Sequence, residues 1–360
     1  MTVDNFIDLY TDFLIYTPVE ATATLLSEVL ERRVSHDKIT RMLSQGILNS
    51  EKLWKEAKVI CSEIKSNDAV LILDDSVEEK RYSKRNEMIQ YHFDHTQNRS
   101  IKGVNFLTAL YNSWEMSIPV GVDFIEKTER YIDKKSKKEK VRSPISKNER
   151  FRNLVLQASQ NLYFEYVLND SWFCNVENMS FIVNKCKTNF IMAIKENRKI
   201  ALSLEDKNKG KYISIKDIEL EGCVLSVYLK GLNFPVLITK QVFKNESGAT
   251  GALYLTSNDL NLLYEQMTTI YKKRWKVEEY HKSIKSNTAF AKSPTKKKHT
   301  QYAHFVASIL AYIKLEKLKV KNNKNHFALK AIIRINATKM ALKSYQQLAI
   351  ENPIYKQIAA

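Results

Sequence analysis

Glycine and proline are scarce in this chain of 360 residues, with 8 and 6 respectively. Those counts exclude collagen-like, linker-rich and low-complexity architectures. Cysteine is confined to positions 61, 174, 186 and 223, with no C-x-x-C pair and no tight Cys/His cluster. That spacing speaks against zinc knuckles and redox motifs, and the four thiols read as reduced, as expected of a cytoplasmic protein. Long apolar runs are also missing. The longest, residues 305–313, falls far short of the roughly 20 residues a membrane helix needs. Residues 1–10 contain Asp4 and Asp8 and no basic segment leading an apolar one, so they do not read as a secretory signal.

What is abundant is lysine. Lys plus Arg number 57 against 40 acidic residues, a formal charge of +17, while 44% of residues are hydrophobic and 10% aromatic. The chain is therefore globular, with an excess of positive charge suited to a polyanion, nucleic acid first. A/T-rich coding also favours Lys, Asn and Ile, so the total alone is weak. The charge is concentrated: residues 272–298 hold ten Lys/Arg and two Glu, and residues 126–150 hold ten Lys/Arg and five Asp/Glu.

The pattern along the chain is mixed. Residues 1–66 read as helical, and Ser35 is a suitable N-cap for a short helix ended by Gly46. With Lys38, Thr40 and Arg41 on that helix, a helix-turn-helix and a small bundle with a basic face fit equally well. Residues 69–73 form a continuous apolar run, as in a strand buried on both faces, followed by Asp74 and Asp75. Strands are expected at 101–111 and 117–124, and a basic exposed loop at 126–150. A helix follows at 151–162, a strand at 163–168 ending in Asn169-Asp170, a helix at 176–185 and a strand at 190–194. Short alternating strands over 196–255 read as an inserted β subdomain. One long helix is expected from about 260 past 285, a second at 300–319, and a helix pair at 326–348.

Two of these strands thus end in aspartate, and Glu278 and Glu279 lie on the long helix. Carboxylates at the C-terminal ends of strands project into the crevice of an open α/β sheet, and three together can hold a pair of Mg²⁺ ions. Two such ions stabilise the attacking and leaving oxygens of an in-line phosphoryl displacement. Each Asp alone is more often a turn former. The helix raises the odds. On an ideal helix Tyr271, Arg274, Glu278 and Lys285 fall within an arc of about 60°. A core stripe would be apolar, and a solvated face gives no reason for the tyrosine.

The segment from Tyr271 to Lys285 matches Y-x2-R-x3-E-x6-K and resembles the signature of cut-and-paste DDE transposases of bacterial insertion sequences. Residues 71–76 resemble the family's first catalytic strand, and residues 169–173 its second. The resemblance covers roughly residues 66–315. It implies an α/β fold: an RNase H-like core in two parts (67–195 and 256–320), interrupted by a β insertion (196–255). Helical regions flank it at 1–66, expected to bind DNA ends, and at 321–360. It implies Asp75, Asp170 and Glu278 as the catalytic triad holding two Mg²⁺ ions, with Mn²⁺ able to substitute. Asp74 rivals Asp75, which precedes a small hydroxyl residue as the family pattern has it. Glu279 rivals Glu278, which alone keeps the spacing to Arg274 and Lys285. Tyr271, Arg274 and Lys285 would clamp DNA phosphates, helped by Trp275, His281 and Lys282.

The implied partners are double-stranded DNA, as transposon ends and target, and a second copy of the chain in the DNA complex. The implied location is the bacterial cytoplasm, with no membrane. One feature departs from the family: no Trp lies between 174 and 270, where relatives carry one that stacks on a flipped base. Tyr212, Tyr228, Phe234, Phe243 or Tyr254 could offer such a face. Two other functions fit the same residues: a nuclease with the same core that does not transpose, and a domesticated DNA-binding protein. The presence of all three acids opposes the latter. His92 and His95, near Asp94, are conceivable metal ligands, although scattered His residues more often pack or lie on the surface.

Overall fold

The computed structural model describes residues 2–94, 98–134, 137–244, 248 and 250–351. His95 lies outside them. The chain divides into two compact units, one of residues 1–48 with 283–360 and one of residues 49–282.

The larger unit opens with α4 (Ser50–Glu63), after α1 (Val3–Tyr16), α2 (Ala23–Val29) and α3 (His36–Ser44) of the other unit. It continues with β1 (Val70–Glu79), β2 (Ile89–Asp94), β3 (Arg99–Ser113) and β4 (Met116–Phe124). The apolar run Val70–Leu73 is fully buried at the centre of the sheet, as its composition requires. β3 pairs antiparallel with β1 on one side and with β4 and β2 on the other. Gly103 of β3 is where β1 comes closest, since a Cβ there would stand 2.1 Å from the Glu78 carbonyl oxygen.

Residues 126–150, expected to form a loop, instead carry the hairpin β5 (Glu129–Ile132) and β6 (Glu139–Arg142) and the start of α5 (Lys147–Ser159). Next come β7 (Tyr166–Asn169), α6 (Val176–Phe181), a π-turn over Ile182–Cys186 and β8 (Asn189–Ile194). β7 runs parallel to both β1 and β8. The order β4-β3-β1-β7-β8, antiparallel then parallel, is that of an RNase H-like core.

Then come β9 (Lys199–Ala201), α7 (Leu204–Asn208), β10 (Ile213–Ser214), β11 (Val224–Leu229), β12 (Val236–Lys244) and β13 (Thr250–Ser257). These strands extend the central sheet. β13 pairs antiparallel with β8 from Tyr254↔Ile194 to Ser257↔Ile191, giving one sheet of 11 strands.

The expected long helix is broken into α8 (Tyr264–Lys272) and α9 (Trp275–Asn287). Between them the amides of Arg274, Lys276 and Val277 donate to the carbonyls of Tyr271, Lys273 and Arg274, three residues back. This tighter turn changes the azimuth of everything beyond it, so the ideal-helix stripe does not carry through from Tyr271 to Lys285.

In the smaller unit α10 (Lys298–Asn322) packs against α1, and Tyr10 meets His304 Nδ1 at 2.9 Å. Residues 326–348, expected to be two helices, are one, α11 (His326–Glu351). Ser35 caps α3 as expected, with its hydroxyl accepting from the Lys38 amide at 3.3 Å. Lys38, Thr40 and Arg41 are exposed on that helix, while Ile39, Met42 and Leu43 are buried. All four cysteines are free. No helix of the described residues is long and apolar enough to cross a membrane.

Candidate active site

Side chains alternate across a strand, and residues directly paired in an antiparallel ladder share a face. Ser76 pairs with Phe106, whose ring meets His281 of α9 edge-on at 5.5 Å. Asp74, two residues from Ser76, therefore lies on the face covered by α9. Leu73 pairs with Ala109, which pairs in turn with Gly121. A Cβ at Gly121 would strike Leu154 of α5 at 2.8 Å, so Asp75 lies on the α5 face. Lys147, at the start of α5, confirms this with a bridge of 2.6 Å to Asp75 Oδ2.

Asp170 follows the end of β7, the parallel neighbour of β1. Its carboxylate accepts from the Trp172 amide at 3.0 Å. Burial raises the Asp170 carboxyl above its ordinary value, with Asp75 adding to the rise, while the Trp172 and Phe173 amides and Arg274 oppose it. Asp74 is pushed up to about 8, first by burial and then by the charges of Asp170 and Asp75, against the pull of Arg274. The three aspartates thus form one electrostatically coupled cluster at the C-terminal edge of the parallel pair.

Arg274 links this cluster to the third acid. Its Nη2 donates to Glu278 Oε1 at 2.6 Å, and its charge acts on both Asp74 and Asp170. Glu279 points elsewhere, bridged to Lys276 at 3.0 Å on the exposed side. The sequence therefore brings Asp74, Asp75, Asp170, Arg274 and Glu278 into one neighbourhood. Among the described residues, no group of three or more His, Cys, Asp or Glu is gathered closely enough to hold a metal ion. The donor set still fits a hard divalent cation: every candidate is a carboxylate, and the mutual repulsion of the aspartates is what a cation would relieve. Lys147 on Asp75 and Arg274 on Glu278 supply positive charge to two of them.

The remaining candidates separate. Tyr271 is buried, and its hydroxyl donates to the Asn169 carbonyl at 3.2 Å, fixing α8 to the end of β7. It faces the core rather than a DNA surface, and burial raises its phenol above the ordinary value. His281 is likewise a core residue, against Phe106, which corrects its expected place at phosphate. Trp275, 60% exposed, and Lys282 are at the surface. Lys285 lies further along α9, beyond the residue at which the chain divides. His92 is buried.

Sequence reading missed two residues. Lys147 was hidden in the basic stretch 126–150, where no lysine stood out. Trp172 follows the second aspartate closely, is 44% exposed, and has the Lys147 ammonium 5.2 Å from its ring centroid. Of the aromatics suggested for stacking, Tyr212, Tyr228 and Tyr254 each have a lysine over the ring. Phe243 is 45% exposed.

Two family models match the chain. That of the DDE superfamily endonucleases spans residues 7–211, more than half its length. That described as the transposase DDE domain spans residues 144–314. No curated protein matches. Among solved structures, one similar chain is Ciona intestinalis endonuclease V in complex with a 24mer DNA containing an inosine followed by a ribo-adenosine. It is 14% identical with a TM-score of 0.27, over 64% of this chain and 98% of that one.

Proposed function

The chain belongs to the DDE superfamily of transposases and endonucleases, and from that membership we propose that it is a transposase, binding inverted terminal repeats, cutting DNA at each and joining the freed 3′-OH to target DNA. The observation that carries this reading is the coupled cluster of Asp74, Asp75 and Asp170 at adjacent parallel strand ends, joined through Arg274 to Glu278. Asp170 and Glu278, with Asp75 or with its rival Asp74 on the face that α9 covers, are the residues that would hold a pair of Mg²⁺ ions, with Mn²⁺ as a substitute. Such ions, when bound, offset the charge that develops on the attacking and leaving oxygens.

The chain's own groups divide the remaining work. The Trp172 amide orients the Asp170 carboxylate, and Tyr271 anchors the strand end that carries it. Arg274 can fork two phosphate oxygens once it is released from Glu278, and Lys147 is a point charge beside Asp75. On the same helix Lys282 adds an exposed positive charge and Trp275 an exposed aromatic face for DNA. Two DNA ends must be paired for transposition, so the working species is a dimer on DNA.

The test is strand cleavage and joining on oligonucleotides that carry the element's ends, with Mg²⁺. Wild-type protein should yield nicked and joined products, and Asp170→Ala and Glu278→Ala neither. Undiminished cleavage by either variant would refute the assignment of the acids. Cleavage with no joined product would identify a nuclease instead. Asp74→Asn beside Asp75→Asn separates the rival first acids: the ligand's loss abolishes cleavage, and the other's does not.

A further inference from the structure

Lys147 stands where the helix it begins does not favour a cation. It is the first residue of α5, after the cap Ser146, whose hydroxyl accepts from the Glu149 amide at 3.1 Å. A helix N-terminus carries partial positive charge and suits an anion, not an ammonium. What holds Lys147 there lies outside the helix. Its Nζ is 2.6 Å from Asp75 Oδ2, in a pair whose side chains are 26% and 19% exposed. The same Nζ stands 5.2 Å from the centroid of the Trp172 ring, within cation-π range. That ring meets Phe173 edge-on at 4.8 Å, and Phe173 stacks on Phe151 of α5 at 4.9 Å. One ammonium thus has two seats, a carboxylate and an anchored aromatic face.

The acid at the far side of the cluster is held in the same way, Glu278 being bridged to Arg274 at 2.6 Å. Asp170 accepts from the Trp172 amide at 3.0 Å. Each of these carboxylates is therefore already satisfied by a cation or a donor of the chain itself. In this arrangement Asp75 is drawn toward α5, and no three acids among the described residues are gathered closely enough to hold a metal ion. For Asp75 to serve a divalent cation it must give up Lys147. The ammonium that is released has the Trp172 face within reach, and an aromatic face stabilises a cation.

We propose that Lys147 is a built-in occupant of the cation site, competing with the divalent ion for Asp75 and passing to the Trp172 ring when that ion binds. This rests on the reading of the acids as a divalent-cation site. It makes Lys147 a positioning residue that acts through Asp75 and keeps the acids charge-compensated in the ion-free protein.

The experiment is calorimetric titration of Mg²⁺, and separately of Mn²⁺, into the full chain without DNA. Lys147→Met removes the competing charge and keeps an unbranched side chain in its place. The bond it breaks is charge-assisted but partly exposed, which sets the expected gain in metal affinity at about tenfold. Lys147→Arg keeps a competing cation and should bind as the wild type does. In an Asp75→Asn background Lys147→Met should gain nothing, because no carboxylate is left to free. Trp172 supplies a second readout. Saturating Mg²⁺ should shift its emission, taken as the difference between wild-type and Trp172→Phe protein, and the shift should vanish when both carry Lys147→Met. Unchanged or weaker metal binding by Lys147→Met overturns the proposal. So does an equal gain in the Asp75→Asn background, which would make Lys147 a distant repelling charge. A Trp172 emission that ignores Mg²⁺ overturns the passage to the ring. Absence of metal binding in both wild-type and Lys147→Met protein refutes the cation reading of the acids itself.

Discussion

Glu316 is the best place to test whether the buried polar network of the smaller unit is a charged hub. It is 3% exposed, accepts from Tyr312 Oη at 2.9 Å, and has Lys319 Nζ at 2.7 Å and His326 Nε2 at 3.1 Å within ion-pair distance. His326 Nδ1 meets Ser283 Oγ at 2.7 Å, and Asn287 donates to the same hydroxyl at 3.1 Å. One helix each of α9, α10 and α11 is thus tied through this carboxylate. Glu316→Ala removes the partner of all three groups. Lys319, a quarter exposed, can turn to water, but Tyr312 and His326 cannot. Each buried donor left unpaired costs about 1–3 kcal/mol, and breaking a buried ion pair from one side costs about 3–5 kcal/mol. The expected loss is therefore about 3–5 kcal/mol, or a melting transition lower by roughly 10 °C. Glu316→Gln keeps a neutral acceptor and should cost about half as much.

The pH dependence carries a second signature. Burial alone would raise this carboxyl; His326 and Lys319 outweigh it and hold it below its ordinary value. A group with a depressed folded value contributes stability above its unfolded value and loses it as pH falls through the folded one. Wild-type stability should therefore drop as pH falls below the ordinary carboxylate range, and that part of the drop should be missing from Glu316→Gln. Urea titrations from pH 3 to 7 read both effects. A cost below about 1 kcal/mol for Glu316→Ala, or an unchanged acid limb in Glu316→Gln, would show that the carboxylate is not the hub.

Other outcomes follow from the larger unit. Gly103→Ala drives a Cβ into the Glu78 carbonyl and should separate β1 from β3; recovery of soluble, cooperatively melting protein at wild-type temperature would contradict the register. If the carboxylate cluster holds a divalent cation, wild-type protein at 100 times the Kd should gain about 2.7 kcal/mol over its stability in EDTA. Asp170→Asn should lose most of that gain, as thermal melts with and without Mg²⁺ will read. His281→Ala, which leaves a gap against Phe106, should lower the melting temperature without changing the salt slope of DNA binding. A slope reduced by about 0.9 would return His281 to the DNA surface.

The strands most visible in the sequence were those whose side chains are buried on both faces. Val70–Leu73 needed no periodicity to stand out, and the aspartates that end it marked the crevice. Ser35 was legible because a cap is a local device that no tertiary contact has to supply. The hairpin of β5 and β6 was not, since every position of Glu129–Ile132 is exposed and nothing alternates. The break at residues 273–274 carries neither Gly nor Pro, so only the hydrogen-bond pattern reveals it. At the site, the acids and Arg274 stood out because strand ends and helical spacing are short-range geometry. The burial of Tyr271 and His281 was not readable, since it depends on which strand their helices cover. Nor was the role of Lys147, which stands 72 residues from its partner.

The pairing of β13 with β8 has a mechanical consequence. A module hung from a hinge can swing over a substrate at little cost, but strands that share one ladder move only as the whole sheet flexes. Displacing β9–β13 would break the ladder hydrogen bonds from Tyr254 to Ser257, whose partners are buried. These amides should therefore exchange as slowly as those of β1, and β9–β13 should behave as a stiff extension of the sheet rather than as a mobile arm.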